Sequence, residues 1–276
     1  MKITFYCLKE YYIYIKEYLD PLVSLLNCEL KILESYQNFS LLESNKHIFI
    51  KKLPNNISGE NIILFNIEQL SRKNFKLKCP PETIVLDYAM GNLDFINNEK
   101  YCIPYLYNPK EVYNFPKIYD VCFIGGLSPK RKNILTKLKQ KGIKVNRIKG
   151  WGNDRDQKLF KHKILLNISF DDDYKVFEAI RCNRCVHNKM IVISDFKIDM
   201  DKIPLRQHIF FTPYNLLVDT VMYALKNYKA VYEKLTLDNL KLPDPNIPKF
   251  LLKQNLPPPH SPHSQTACTQ SDQFDA

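Results

Sequence analysis

The chain has 276 residues, 45% of them apolar, enough for one large or two modest hydrophobic cores and too many for a disordered chain. Its formal charge of +11 is concentrated: residues 119–170 carry 13 Lys+Arg against 3 Asp+Glu, whereas residues 1–118 carry 14 against 13 and residues 171–276 carry 13 against 13. That basic segment also holds five of the seven glycines (125, 126, 142, 150 and 152), which points to a compact anionic ligand and away from nucleic acid as the partner.

In chain order, MKITFYCLKE supplies six apolar residues before Lys9, too few for a signal-peptide core, and no later run approaches a membrane span. Eight cysteines scattered mainly through apolar runs fit a reducing compartment, so the expected location is cytoplasmic and the Asn-x-Ser sequons at Asn38, Asn56 and Asn167 are read as fortuitous. Strands are expected at 2–7, 30–35, 47–52 (a candidate edge), 61–70 and 82–90, with a helical or broken-helical stretch at 11–27, and YCIPYLYNP (101–109) closes the region. After the proline-bearing link 108–118 the rhythm is cleaner: strand 119–126, helix 130–142, strand 143–150, helix 154–163, strand 164–169, helix 174–188, strand 190–195. Strict alternation predicts a parallel, doubly wound α/β sheet. A long terminal helix is expected over 216–235, and the proline-rich, lysine-free 256–276 reads as a disordered tail.

Three stretches carry chemistry. In YDVCFIGGLSPKRKNIL, Gly125 and Gly126 follow a strand and precede a helix that Ser128 caps and Pro129 opens. Glycine permits the sharp turn and close approach of a ligand to the backbone, the helix N-terminus favours an anion, and Arg131 and Lys132 add charge. The same residues also describe a plain βα turn with a solvated basic face. In GWGNDRD, Trp151 and Gly152 stand at the carboxyl end of the next strand, where Trp151 either stacks on a nucleobase or caps the core. In FDDDYKVFEAIRCNR, Glu178, Arg181 and Arg184 recur at helical i,i+3 spacing. A carboxylate accepts both hydroxyls of a ribose and a guanidinium grips phosphate, while the plainer reading is an intrahelical ion pair. Asp171, Asp172 and Asp173 read as N-cap and first-turn charges. CNRCVH (182–187) offers C-x-x-C and a histidine but no second pair of suitable spacing, so no metal site is expected.

Taken in order, DVCFIGGLSPKRKNIL, GWG, LLN and YKVFEAIRCNR…MIVISD (within 120–195) resemble the nucleotide-sugar-binding half of GT-B glycosyltransferases, family 1-like, including those encoded by large DNA viruses. ILFNIEQLSR (63–72) and VLDYAMGN (85–92) are similar, more faintly, to that group's acceptor-side loops. The resemblance implies two Rossmann-like domains with parallel sheets facing a cleft: an acceptor domain at 1–115 and a donor domain at 116–250. It implies a hexosyl- or pentosyltransferase of glycan biosynthesis, moving sugar from a nucleotide-sugar donor to a glycan or protein-linked glycan, without metal or cofactor, in the host cytoplasm if viral. By the same resemblance Gly125, Gly126, Ser128 and Arg131 hold the diphosphate and Glu178 the ribose, with Arg181 near the phosphates. Trp151 and Gly152 lie by the base, and Tyr174 and Phe177 line the donor. Asn66 and Glu68 face the transferred sugar, Glu68 as base or as structural hydrogen-bonder. The acidic residue usual eight positions before the ribose glutamate is replaced here by Phe170, leaving Asp173 or its two neighbours to substitute. A non-catalytic binding module of the same fold and a nucleic-acid binder are the competing readings.

Overall fold

The computed structural model describes residues 2–36, 41, 45–55, 57–240 and 247–252. The first half builds β1 (Ile3–Leu8), α1 (Lys9–Leu25), β2 (Glu29–Leu33), β3 (Lys46–Ile50), β4 (Ile62–Asn66), β5 (Ile84–Asp87) and β6 (Lys100–Cys102). All its strands pair parallel, in the order β2-β1-β3-β4-β5-β6. The second half builds β7 (Tyr119–Ile124), α2 (Pro129–Gln140), β8 (Val145–Ile148), α3 (Gly152–Leu159), β9 (His162–Asn167), α4 (Ala179–His187), β10 (Ile191–Asp195), β11 (Ile209–Thr212), α5 (Leu217–Lys226) and α6 (Tyr228–Lys234). Its parallel sheet has the order β11-β10-β9-β7-β8. The chain is therefore α/β with two Rossmann-like sheets, as the resemblance implies; the strict alternation by itself predicts the second of them. Central strands such as ITFYCL and IILFN are buried along their whole length, the signature of sheets covered on both faces.

Several boundaries differ from the sequence reading, each for a local reason. The strand expected at the edge, β3, is internal between β1 and β4, and His47 to Ile50 are buried. The helix expected from Tyr174 begins at Ala179 because other groups capture the preceding amides: Lys175 N donates to Ser71 Oγ (3.1 Å), Val176 N to Gln69 Oε1 (3.3 Å) and Phe177 N to Asp199 Oδ1 (3.0 Å). The aspartates at 171–173 consequently cap no helix. Asp171 Oδ1 accepts from Asp173 N (2.9 Å) and Asp172 pairs with Lys130 (2.6 Å). The terminal helix breaks at Asn227 (φ −113°, ψ 35°), separating α5 from α6. After it, α7 (Lys249–Leu252) returns to the first sheet, where Leu251 is fully buried and Phe250 meets the Tyr101 ring edge-on at 5.2 Å. Residues 247–250 thus pack on the first core, unlike the expected 116–250 unit. The stretch 256–276 lies outside the described residues.

Candidate functional site

The carboxyl edges of the two sheets face one another, and side chains cross between them. Ser71 Oγ donates to the Asp173 carbonyl (2.7 Å), Gln69 Nε2 to Glu178 Oε1, and Arg72 to the Tyr174 hydroxyl (3.5 Å). Gly91 lies so close to Asp199 that a Cβ there would sit 2.6 Å from the Asp199 Cβ, so a side chain would push the edges apart. Burial drives the Tyr88 hydroxyl well above its ordinary value, and four carboxylates from both halves, Glu178, Asp87, Asp199 and Glu68, add to it.

On the second sheet, Ile124 pairs in register with Ile148, so the Gly125–Gly126 and Gly150–Trp151 turns leave neighbouring strands side by side. Gly125 has φ +131°, a conformation costly for other residues, and a Cβ there would meet the Arg131 guanidinium at 3.0 Å. Ser128 caps α2 by accepting from Arg131 N (3.2 Å), and its backbone carbonyl accepts from Lys132 N (2.8 Å). Pro129 has no N–H, so of the first helical turn only the Lys130 amide keeps its hydrogen to offer a ligand.

Arg131 is not the solvent-facing charge the sequence suggested. It is 5% exposed, donates from Nε to the Ile168 carbonyl (2.9 Å) and from its terminal nitrogen to the Gly126 carbonyl (3.0 Å), and lies between the Phe123 and Phe170 rings. Burial, with repulsion from Arg181 next, pulls its guanidinium down to about 10, so it remains cationic at neutral pH. It fastens the glycine turn from below. The solvent-facing guanidinium here is Arg147 of β8, which donates to the Gly125 carbonyl at 3.1 and 3.3 Å.

Glu178 sits at the N-cap position of α4, half-buried, with one oxygen on Gln69 and the other 3.6 Å from Arg181. Arg181 also reaches Asn167 at the end of β9 (3.5 Å). Arg131 on the Ile168 carbonyl (2.9 Å) and Arg181 on Asn167 (3.5 Å) hold adjacent residues at the end of β9, so the glycine turn and the acidic element flank the same strand end. Arg184 does not join them. It is buried in an ion network with Asp156 (2.7 Å), Glu111 (3.0 Å) and Glu17 (3.7 Å), in which Arg155 also bridges Glu17 (2.6 Å) and Asp156 (2.7 Å). Three carboxylates and two guanidiniums thereby tie α1, the link before β7, α3 and α4 together. Phe177 is likewise displaced from the expected donor wall: it is 1% exposed and packs on Phe211 in the second core. Tyr174 does face the crevice between the two sheet edges, against Phe170 (5.4 Å) and the Arg72 guanidinium (5.6 Å). Trp151 is 44% exposed and edge-on to Tyr14 of α1 at 4.8 Å, while Gly152 opens α3 at φ +64°.

On the first sheet Asn66 is fully buried rather than facing a sugar, because the turn uses its amide: Nδ2 donates to Asp87 (2.6 Å) and to the Glu68 carbonyl (2.7 Å), and Oδ1 accepts from Glu68 N (3.1 Å). Asn92 braces the same turn from the next loop, donating to Asp87 (2.9 Å) and the Glu68 carbonyl (2.9 Å). The buried Asp87 carboxyl is pushed up to about 7 by desolvation, against the pull of these donors and of Ala89 N. Glu68 itself is partly exposed, its oxygens held by Lys51 (2.7 Å) and Arg72 (3.0 Å). Asp173 meets the first sheet through its backbone carbonyl.

Sequence reasoning missed Gln69, Asp87 and Arg147. Only Asp87 carried a local signal, a carboxylate ending an apolar strand; the other two depend on partners 109 and 22 residues away. Among the described residues no cluster of three His, Cys, Asp or Glu is arranged to hold a metal, and no helix is long and apolar enough to cross a membrane.

Comparison with known proteins bears on this geometry. Uncharacterized protein L140 of Acanthamoeba polyphaga mimivirus is 31% identical over 243 residues, covering 80% of this chain and 79% of its own length. The chain belongs to the family of L140. It also matches protein L137 of the same virus at 28% identity over 83% of its own length, but spans only 34% of that protein. No protein-family profile matches. Two solved structures share the fold: an α1,3-fucosyltransferase with GDP-fucose (TM-score 0.56, 10% identity, 93% of this chain and 92% of that one) and the DNA-modifying β-glucosyltransferase solved with and without uridine diphosphoglucose (TM-score 0.53, 14% identity, 86% and 92%). This chain thus shares the GT-B fold of these two neighbours.

Proposed function

We propose that the chain is a glycosyltransferase that takes its sugar from a nucleoside-diphosphate donor and passes it to a hydroxyl group of a glycan acceptor. The observation that carries this reading is the meeting, at the end of β9 where the carboxyl edges of two parallel sheets face one another, of a glycine turn backed by a buried cation and a carboxylate held by a side chain of the opposite sheet. Ligands of open α/β sheets bind at that edge. Both fold neighbours were solved with nucleotide-sugars, uridine diphosphoglucose and GDP-fucose, which supports the same donor class.

In this reading the donor's ribose hydroxyls replace Gln69 at Glu178, Arg181 and Arg147 meet the diphosphate above the Gly125–Gly126 backbone, and Trp151 flanks the base. The acceptor oxygen attacks the anomeric carbon as the bond from that carbon to the phosphate oxygen breaks. The electron pair leaves with the nucleoside diphosphate, whose charge the arginines stabilise without a metal. Glu68 takes the acceptor proton after release from Lys51 or Arg72.

Thermal-shift titration with UDP, GDP and their sugars tests the donor assignment, because a ligand bound to the fold raises its apparent stability. We expect a shift with at least one nucleotide, and its loss in Glu178→Ala; no shift with any of them sinks the proposal. The engagement of both Glu68 oxygens favours one alternative, a module that binds nucleotide without turnover. Glu68→Ala separates the two: an enzyme loses about 100-fold or more in rate with donor binding kept, whereas a module has no rate to lose.

A further inference from the structure

We propose that the cavity on the flank of α4 turned away from Arg181 is a second binding site, for a neutral ligand rich in hydroxyl groups, of the size of one to a few sugar rings. The cavity measures about 1330 Å3 and lies between the end of α1, the loops after β5 and β6, α4 and the turn at 199–205. It adjoins the region between the sheet edges through Tyr88 and Asp199, but none of Gly125, Gly126, Arg147, Glu178 or Arg181 lines it. Ala179, Asn183 and His187, spaced four apart, line it, and at about 100° per residue their stripe is centred about 200° around α4 from Arg181.

Two polar side chains in that wall lack partners. Asn183 is 4% exposed, and its Oδ1 accepts no hydrogen bond. One turn on, His187 is 6% exposed between the rings of Tyr105 (5.7 Å) and Tyr107 (5.0 Å), and among the described residues its ring nitrogens make no hydrogen bond. Burial, with His208 adding to it, lowers the imidazole to about 4, so it is neutral at physiological pH and presents one donor and one acceptor. An amide and a neutral imidazole each donate and accept, as a hydroxyl does, whichever way the amide is turned; an anion would require donors alone.

The charges of the lining are of both signs, which suits an uncharged occupant better than an anion. Of its four lysines Lys100 is engaged by the Leu93 and Ile96 carbonyls (2.8 and 2.6 Å) and Lys202 is paired with Asp94 (3.2 Å), while Lys110 and Lys249 share the lining with Asp20 and Asp199. The exposed face of Tyr107 supplies an apolar surface beside the polar pair. Apolar walls with a few convergent polar groups are the pattern of small-molecule sites. The inference does not rest on the donor assignment, since neither Asn183 nor His187 belongs to the donor site.

Saturation-transfer NMR on the full chain, with maltose, cellobiose and diacetylchitobiose as neutral probes and decanoate as an apolar anion, tests it. We expect transfer to at least one disaccharide, weakened by about fivefold or more in Asn183→Leu and in His187→Phe, with the nucleotide thermal shift unchanged. Asn183→Leu should also leave Tm equal or higher, because it removes a buried oxygen that has no donor. Transfer to decanoate alone, no transfer to any disaccharide, binding indifferent to both substitutions, or a clear loss of Tm in Asn183→Leu would each overturn the proposal.

Discussion

The turn that ends β4 and β5 and the turn that follows β7 bury opposite charges by mirrored chemistry. In the first, the Asp87 carboxylate is surrounded by N–H donors from Asn66, Asn92 and Ala89; in the second, the Arg131 guanidinium is surrounded by the carbonyls of Ile168 and Gly126. Burial moves both groups toward neutrality, Asp87 up to about 7 and Arg131 down to about 10. The first therefore titrates within the physiological range and the second holds its charge. The comparison teaches that a buried ion at a sheet edge is a permanent electrostatic support only when its ordinary pKa lies far enough from neutrality to survive desolvation.

Removing the permanent charge has the largest expected effect. Arg131→Met leaves two backbone carbonyls without donors and frees the glycine turn, so at about 1–3 kcal/mol for each acceptor we expect a loss of about 2–6 kcal/mol in urea unfolding together with loss of the nucleotide thermal shift. An unchanged shift would mean that the turn is held by something other than Arg131.

The titratable side predicts a pH dependence of definite sign. The folded Asp87 carboxyl near 7 stands above its unfolded value of about 3.9, so between those values the folded state keeps a proton that the unfolded state has released. Its contribution is fully present below about pH 4 and is lost as pH rises through about 7, with a slope of at most about 1.4 kcal/mol per pH unit. The difference between the urea midpoints of the wild type and Asp87→Asn from pH 4 to 8 isolates it, because Glu111, Asp199, His162 and His187 titrate in both; the wild type should lose stability more steeply than the variant as pH rises, and parallel curves would contradict the assignment.

The smallest effect concerns the contact between the two turns. Gln69→Ala removes the amide that occupies Glu178, so Tm should fall by only a few degrees, about 1 kcal/mol, while nucleotide affinity rises several-fold. Weaker nucleotide binding would show that Gln69 positions Glu178 instead of competing for it.

The two turns also differ in how far they can be read from sequence. Gly125, Gly126, Ser128 and Pro129 announce a strand-to-helix turn within a few residues, because backbone dihedrals and capping are local properties. The stretch around Asn66 and Glu68 announces only that an apolar strand ends in polar residues. Which amide braces the turn and which faces the crevice depends on Asp87 and Asn92, which lie 21 and 26 residues beyond Asn66. The late start of α4 has the same origin: Tyr174–Glu178 has helical spacing, but Ser71, Gln69 and Asp199 supply better-placed acceptors than the helix's own carbonyls. Phe177 and Arg184, read as facing a ligand, have the composition of a binding face and the burial of a core.

By itself the sequence determined the parallel α/β alternation, the position of the glycine turn and the basic character of its surroundings, since periodicity, glycine dihedrals and local charge act over a few residues. Tertiary structure alone decided that Arg131 supports the turn from inside, that Gln69 holds Glu178 across the crevice, and that Asn183 and His187 open onto a separate cavity. Those outcomes depend on which distant polar groups are desolvated together, a quantity set by the packing of two sheets against each other and not by any short stretch of chain.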